Sequence, residues 1–145
     1  MAFDNPSDDE LRALLKRVQQ IAVVGLSPKA DRPSFGVARA MQRFGYRIIP
    51  VRPMANEILG EKVYPDLTAV PDKIDLVDVF RAPEQVDEVV DACIALKLPA
   101  LWLQEGVVNE SAARRAQAAG MIVVMDRCVY REYLRLFGAV PRSTL

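Results

Sequence analysis

The chain has 145 residues, about half of them apolar, with 19 basic and 19 acidic side chains and a formal net charge of zero. That length fits one domain, 1–145, able to bury roughly two-thirds of its unfolded surface around a single core. The charge balance argues against a nucleic-acid binder, and no apolar run reaches membrane-spanning length.

The sequence contains no histidine. Ser-His-Asp and Cys-His nucleophilic machinery, a phosphohistidine intermediate and a histidine-ligated metal are therefore excluded. Cys93 and Cys128 are too few for a disulfide framework or a zinc cluster. The first ten residues are acidic and lack the apolar segment of a signal peptide, so the expected location is the cytoplasm.

In chain order, Ser7 and Glu10 form a capping-box pattern, and Leu11, Leu14, Leu15 and Val18 repeat at helical spacing to about Gln19. Ile21 to Gly25 reads as a first strand that stops at a glycine, followed by Leu26, Ser27, Lys29, Arg32 and Ser34. A helix from about Ser34 presents Val37, Ala38, Met41 and Phe44 on one face and ends at Gly45. Tyr46 to Val51 is a second strand, with Pro50 where a missing N–H is tolerated, and a short third strand is expected around Val63-Tyr64. Ile74 to Phe80 is a fourth, and Pro83 and Glu84 suit the first turn of the helix after it. Ala100 to Leu103, a helix capped by Asn109, Met121 to Met125, and a closing helix from Val129 to Phe137 complete the pattern. Residues 139–145 read as a tail.

Nearly continuous apolar strands alternating with helices predict an α/β fold, a doubly wound parallel sheet with an additional N-terminal helix. The expected strand order is 3-2-1-4-5-6, which places a crevice between the loops after strands one and four. A glycine turn that delivers unpaired helix N–H groups is a phosphate-binding arrangement, although G-x-G-x-x-G is missing. Lys29 and Arg32 follow strand one, Arg52 strand two, Arg81 strand four and Arg127 the last, a basic rim suited to several phosphates. The opposing reading is that these are ordinary solvated charges, with Arg81 and Arg127 neutralised by Glu105 or Asp126. NAD-binding proteins carry Asp or Glu where Arg52 stands. Arginine there favours a phosphorylated ribose, as in NADP or coenzyme A, and leaves those two open.

Gly25-Leu26-Ser27-Pro28 with Arg32-Pro33-Ser34-Phe35-Gly36-Val37-Ala38 closely resembles the small stand-alone CoA-binding proteins of bacteria and archaea. Gly45-Tyr46, Ile49-Pro50-Val51, Gly60-Glu61-Lys62-Val63-Tyr64-Pro65, Val79-Phe80-Arg81, Trp102-Leu103-Gln104 and Asp126-Arg127-Cys128 extend the match in order. That family is similar to the CoA-binding domain of the succinyl-CoA synthetase α subunit, a Rossmann-type fold. The resemblance implies CoA or acyl-CoA as ligand. It implies phosphate contacts from Gly25, Leu26, Ser27, Arg32 and Ser34, which Lys29 of the basic rim would join, and an adenosine end at Val51, Arg52 and Pro53. Phe80, Arg81, Pro83, Gln104 and Gly106 would line the rest. Arg52 replaces the asparagine more usual in the family.

The synthetases need a second domain with a phosphorylatable histidine, which this chain lacks, so CoA ligation by the chain alone is not expected. Cys128, after Arg127 and before a helix, is the best nucleophile position, against a structural reading as a buried corner residue. Cys93 lies on an apolar helical stripe and reads as core. Asp75 and Asp78, three apart on a strand, point to opposite faces and cannot pair in catalysis. Three classes remain: a CoA or acyl-CoA binder without chemistry of its own, a regulatory or interaction protein that responds to nucleotide occupancy, and an NADP-dependent oxidoreductase. The first is the expected one, with a nucleotide as partner, neither nucleic acid nor membrane, and any protein partner or homo-oligomer left undefined.

Overall fold

The computed structural model describes residues 2–145. Its first helix, α1 (Asp8–Arg17), starts where both halves of the capping box form: the Glu10 N–H donates to Ser7 Oγ at 3.2 Å, and the Ser7 N–H donates to Glu10 Oε1 at 3.1 Å. Asp8, Asp9 and Glu10 in the first turn and Lys16 and Arg17 in the last complement the helix dipole. The helix ends two residues before Gln19 because Val18 turns to an extended conformation that feeds the first strand.

The elements that follow are β1 (Gln20–Val24), α2 (Pro33–Phe44), β2 (Arg47–Val51), β3 (Glu57–Ile58), β4 (Glu61–Lys62), β5 (Leu76–Val79), α3 (Val86–Ala95), β6 (Ala100–Leu103), α4 (Glu110–Ala118), β7 (Ile122–Met125) and α5 (Val129–Phe137). Five parallel strands form the main sheet in the order β2-β1-β5-β6-β7. Ile21 is in register with Ile48 and Leu76, and Leu101 with Val77 and Val123. Alternate residues feed two apolar layers, as the period of a strand requires. Ala22, Ile49, Val77, Leu101 and Val123 pack with Val86, Val90, Ala112 and Ala116 of α3 and α4. Ile21, Ile48, Leu76, Trp102 and Val124 pack with Leu11, Leu14, Met41, Val129 and Tyr133 of α1, α2 and α5. The doubly wound α/β architecture with its N-terminal helix is thus present.

The expected order needs one correction. The third strand around Val63-Tyr64 is reduced to a single bridge between Tyr64 and Val51, and the sheet has five strands, not six. The Tyr64 N–H donates to the Pro50 carbonyl at 3.0 Å, and the Arg52 N–H to the Tyr64 carbonyl at 2.9 Å. Residues ahead of it are drawn into the small antiparallel β3–β4 hairpin, whose turn holds Leu59 and Gly60 at positive φ. Beyond it, Pro65 leads into a 3-10 turn at Leu67–Ala69 capped by Asp66. Pro50 is tolerated for a reason of parity. Arg47 and Val51 bond toward β1, so Pro50 faces the outer edge, where no strand needs its N–H. Pro83 likewise opens a 3-10 turn, Pro83–Gln85, that precedes α3.

The C-terminal residues are docked. Residues Arg142–Thr144 form a 3-10 turn, and the Arg142 guanidinium lies 5.2 Å from the centre of the Tyr46 ring. Asp75 accepts hydrogen bonds from the Gln19 and Gln20 N–H groups at 3.1 and 2.9 Å, so it ties the start of β1 to β5.

A candidate ligand-binding crevice

β1 is held on both sides up to its end: the Gly25 N–H donates to the Val51 carbonyl at 2.9 Å, and the Phe80 N–H to the Val24 carbonyl at 2.8 Å. Beyond that point the chain leaves β1 for α2 on one face of the sheet and leaves β5 for α3 on the other. A crevice of about 1090 Å³ opens there, at the switch point of the fold. Gly25 makes its base possible. Its φ is +87°, and a Cβ on it would stand 2.3 Å from the Phe80 carbonyl oxygen.

The loop from Gly25 to α2 is fixed from within. The Ser27 N–H donates to Ser34 Oγ at 2.9 Å, and the Lys29 N–H to Ser27 Oγ at 3.1 Å. Both hydroxyls accept in these bonds and keep their own protons to donate. The N-cap of α2 is Arg32, which makes no side-chain capping bond, and Pro33 occupies the first turn. The helix N-terminus therefore faces the crevice without a side-chain acceptor of its own.

Nine of the residues expected from the sequence meet around this space: Gly25, Ser27, Lys29, Arg32, Ser34, Arg52, Phe80, Arg81 and Gln104. The other five lie outside its wall. Leu26 and Val51 are buried in the two apolar layers, while Pro53, Pro83 and Gly106 belong to the adjoining loops and do not line it. Lys29, Arg32, Arg52 and Arg81 meet no carboxylate within salt-bridge distance among the described residues. Arg81 Nε is buried with no hydrogen-bond partner there.

Arg127 does not join them. Its guanidinium lies 3.2 Å from Glu132, which also binds Arg135 at 2.6 Å, and Arg135 reaches Asp8 at 2.8 Å. Neutralisation by a local carboxylate thus holds for Arg127, through Glu132, and fails for Arg81. The basic wall continues instead along α2, through Arg39 and Arg43, and reaches Tyr130 and Arg131 on α5. These residues went unnoticed in the sequence, although Gly36, Arg39, Ala40 and Arg43 lie at the three- and four-residue spacing that marks one helix face.

The far wall is built from β6 and β7. Gln104, buried, accepts the Val129 N–H at 3.1 Å and so supplies the cap that Cys128 does not give α5. Asp126, at φ 62°, accepts the Gly106 N–H at 2.8 Å and holds the loop after β6. Cys128 sits in this wall with 7% of its surface exposed. Cys93 lies in the core, where burial pushes its thiol up to about 12. Asp78 faces the α1, α2 and α5 layer between Val23 and Trp102, and burial raises its carboxyl well above the ordinary range. No His, Cys, Asp and Glu group capable of holding a metal ion exists among the described residues, and no helix there is long and apolar enough to cross a membrane.

Known proteins share this architecture. The uncharacterized protein YneT of Bacillus subtilis strain 168 is 43% identical over 127 residues, covering 88% of this chain and 94% of that protein. A solved structure of a hypothetical protein from Pyrococcus horikoshii OT3 superposes with a TM-score of 0.90 at 38% identity, over 95% of this chain and 97% of that one. An ADP-forming acetate–CoA ligase II of Archaeoglobus fulgidus is 24% identical over 128 residues, 87% of this chain but 18% of the ligase. Residues 19–133, which run from the start of β1 into α5 and enclose the whole crevice, match the family described as CoA binding domain, and the chain belongs to that family.

Proposed function

We propose that the chain is a single binding unit for coenzyme A or an acyl-CoA, held in the crevice and not chemically changed by this chain alone. The observation that carries the reading is the set of four uncompensated cations, Lys29, Arg32, Arg52 and Arg81, around an uncapped helix N-terminus. CoA carries a diphosphate and a ribose phosphate, together about four negative charges near neutral pH. The diphosphate would lie against Gly25 to Ser27 and the first turn of α2, with Lys29 and Arg32 beside it. Arg52, at the carboxyl end of β2, stands where adenosine riboses are held in this class of fold, so the adenosine end would lie there. The pantetheine arm would then run past Phe80 and Arg81 toward Gln104. Family membership supports the choice of CoA over NADP, as does the acetate–CoA ligase named among the relatives. The chain spans less than a fifth of that ligase, and its ligation chemistry is not carried over.

The test is thermal unfolding with CoA, acetyl-CoA, NADP and NAD, after native mass spectrometry for carried-over ligand. Ligand at a hundredfold over Kd adds about 2.7 kcal/mol, a shift of several degrees for a chain this size. The expected result is a shift with CoA or acetyl-CoA and none with NADP. A shift with NADP alone would replace the CoA reading by the nicotinamide one. A partner captured only in the presence of CoA would favour the regulatory reading of the same site.

A further inference from the structure

The crevice is larger than the phosphates require. Beyond Ser34 it continues as a groove between α2 and α5, floored by Gly36, Val37 and Ala40 and walled by Tyr130. The Phe44 and Tyr130 rings, 5.9 Å apart, belong to the aromatic packing that joins the two helices. A Cβ placed on Gly36 would meet no atom within 4 Å, so this floor is open space.

Arg39 and Arg43 stand along this groove, and neither meets a carboxylate within salt-bridge distance among the described residues. Arg39 rests over the Phe35 ring at 5.7 Å. Arg131, across the groove, is paired with Glu105 at 3.1 Å. At about 1.5 Å per residue, Arg39 and Arg43 lie roughly 7.5 and 13.5 Å along the axis from Ser34. That distance takes them away from a diphosphate seated on the helix N-terminus. Four other cations already match the charge of CoA, and the pantetheine arm is neutral. Two arginines that far along α2 from the phosphates call for another anion.

We propose that the α2–α5 groove receives the acyl group of a CoA thioester whose acyl chain ends in a carboxylate, with Arg39 and Arg43 meeting that carboxylate. The inference rests on the CoA reading above and narrows it from acyl-CoA in general to half-thioesters of dicarboxylic acids. Gly36 and Ala40 keep the floor low enough for a short methylene chain, and the guanidinium pair suits a planar carboxylate.

The experiment is calorimetric titration of the full chain with free CoA, butyryl-CoA and succinyl-CoA, two acyl groups of equal carbon number that differ in the terminal carboxylate. The same titrations are run on an Arg39→Ala/Arg43→Ala double variant whose ligand-free melting temperature confirms that it folds. The expected result is succinyl-CoA bound at least about fivefold more tightly than butyryl-CoA by the natural chain. That ratio should fall to about one in the double variant. Equal affinities in the natural chain would overturn the proposal while leaving CoA binding intact. So would a double variant that loses free CoA and succinyl-CoA by the same factor, because the two arginines would then serve the ribose phosphate. Binding of none of the three would overturn the CoA reading itself, and this inference with it.

Discussion

Arg32 and Arg81 approach the same crevice from opposite walls, and neither meets a carboxylate within salt-bridge distance among the described residues. Replacing either with alanine is expected to weaken CoA about ten- to a hundredfold, as for a charge-assisted hydrogen bond to phosphate, without lowering the ligand-free melting temperature. Titration with CoA checks this, and unchanged affinity in both variants would remove the phosphate wall. Gly25 is the opposite case. Alanine there would drive a Cβ to 2.3 Å from the Phe80 carbonyl at a φ of +87°. A loss of about 2 kcal/mol or more in denaturant unfolding is expected, together with loss of ligand. Asp78 shows what burial does to a charge: it is 1% exposed, and its Oδ1 has no hydrogen-bond partner among the described residues. Its folded pKa is raised, so the folded state holds a proton that the unfolded state releases above about pH 4. Its contribution to stability is fully present below that pH and declines as pH rises toward the folded value. An Asp78→Val variant should therefore gain on the natural chain as pH rises above about 4. Unfolding curves at several pH values would show it, and a pH-independent difference would contradict the assignment.

Local rules governed some elements and failed at others. The α1 start followed from Ser7 and Glu10 alone, because a capping box is made within four residues. Ser7→Ala should cost about 1 kcal/mol, read in denaturant unfolding, with no effect on CoA affinity since α1 lies away from the crevice. The third strand failed for a complementary reason. Val63-Tyr64 has strand composition, yet whether it pairs depends on β2 offering an edge and on the prolines and turn residues beside it. Arg127 shows the same limit for charge. Its position after β7 suggested the rim, but α5 brings Glu132 to it, and the Asp8–Arg135–Glu132–Arg127 chain ties α1 to α5 instead. Gln104 took a role that no local pattern announces, capping a helix 25 residues later in the chain.

Over the whole molecule, a net charge of zero conceals a separation of charge. Among the described residues, at least seven cations take part in ion pairs elsewhere or at the rim, whereas Lys29, Arg32, Arg39, Arg43, Arg52 and Arg81 gather in the crevice wall with no carboxylate within salt-bridge distance. A polyanion held by such a wall should lose affinity steeply with salt, because the Debye length falls from about 10 Å at 0.1 M to about 3 Å at 1 M. Titration of CoA across that range should show at least a tenfold weakening, and a flat response would mean that apolar contacts dominate. The amino-acid sequence by itself determined the layers, the strand and helix alternation, the glycine turn at the end of β1 and the basic residues that follow the principal strands. These follow from period, capping and steric demand, which act over a few residues. Only the tertiary structure decided that the sheet stops at five strands, that Arg127 is neutralised and Arg81 is not, and that α2 and α5 leave a groove between them with Arg39 and Arg43 above it. Pairing edges, carboxylates and helix neighbours arrive from distant parts of the chain, and the free energy of a charge depends on which of them arrives.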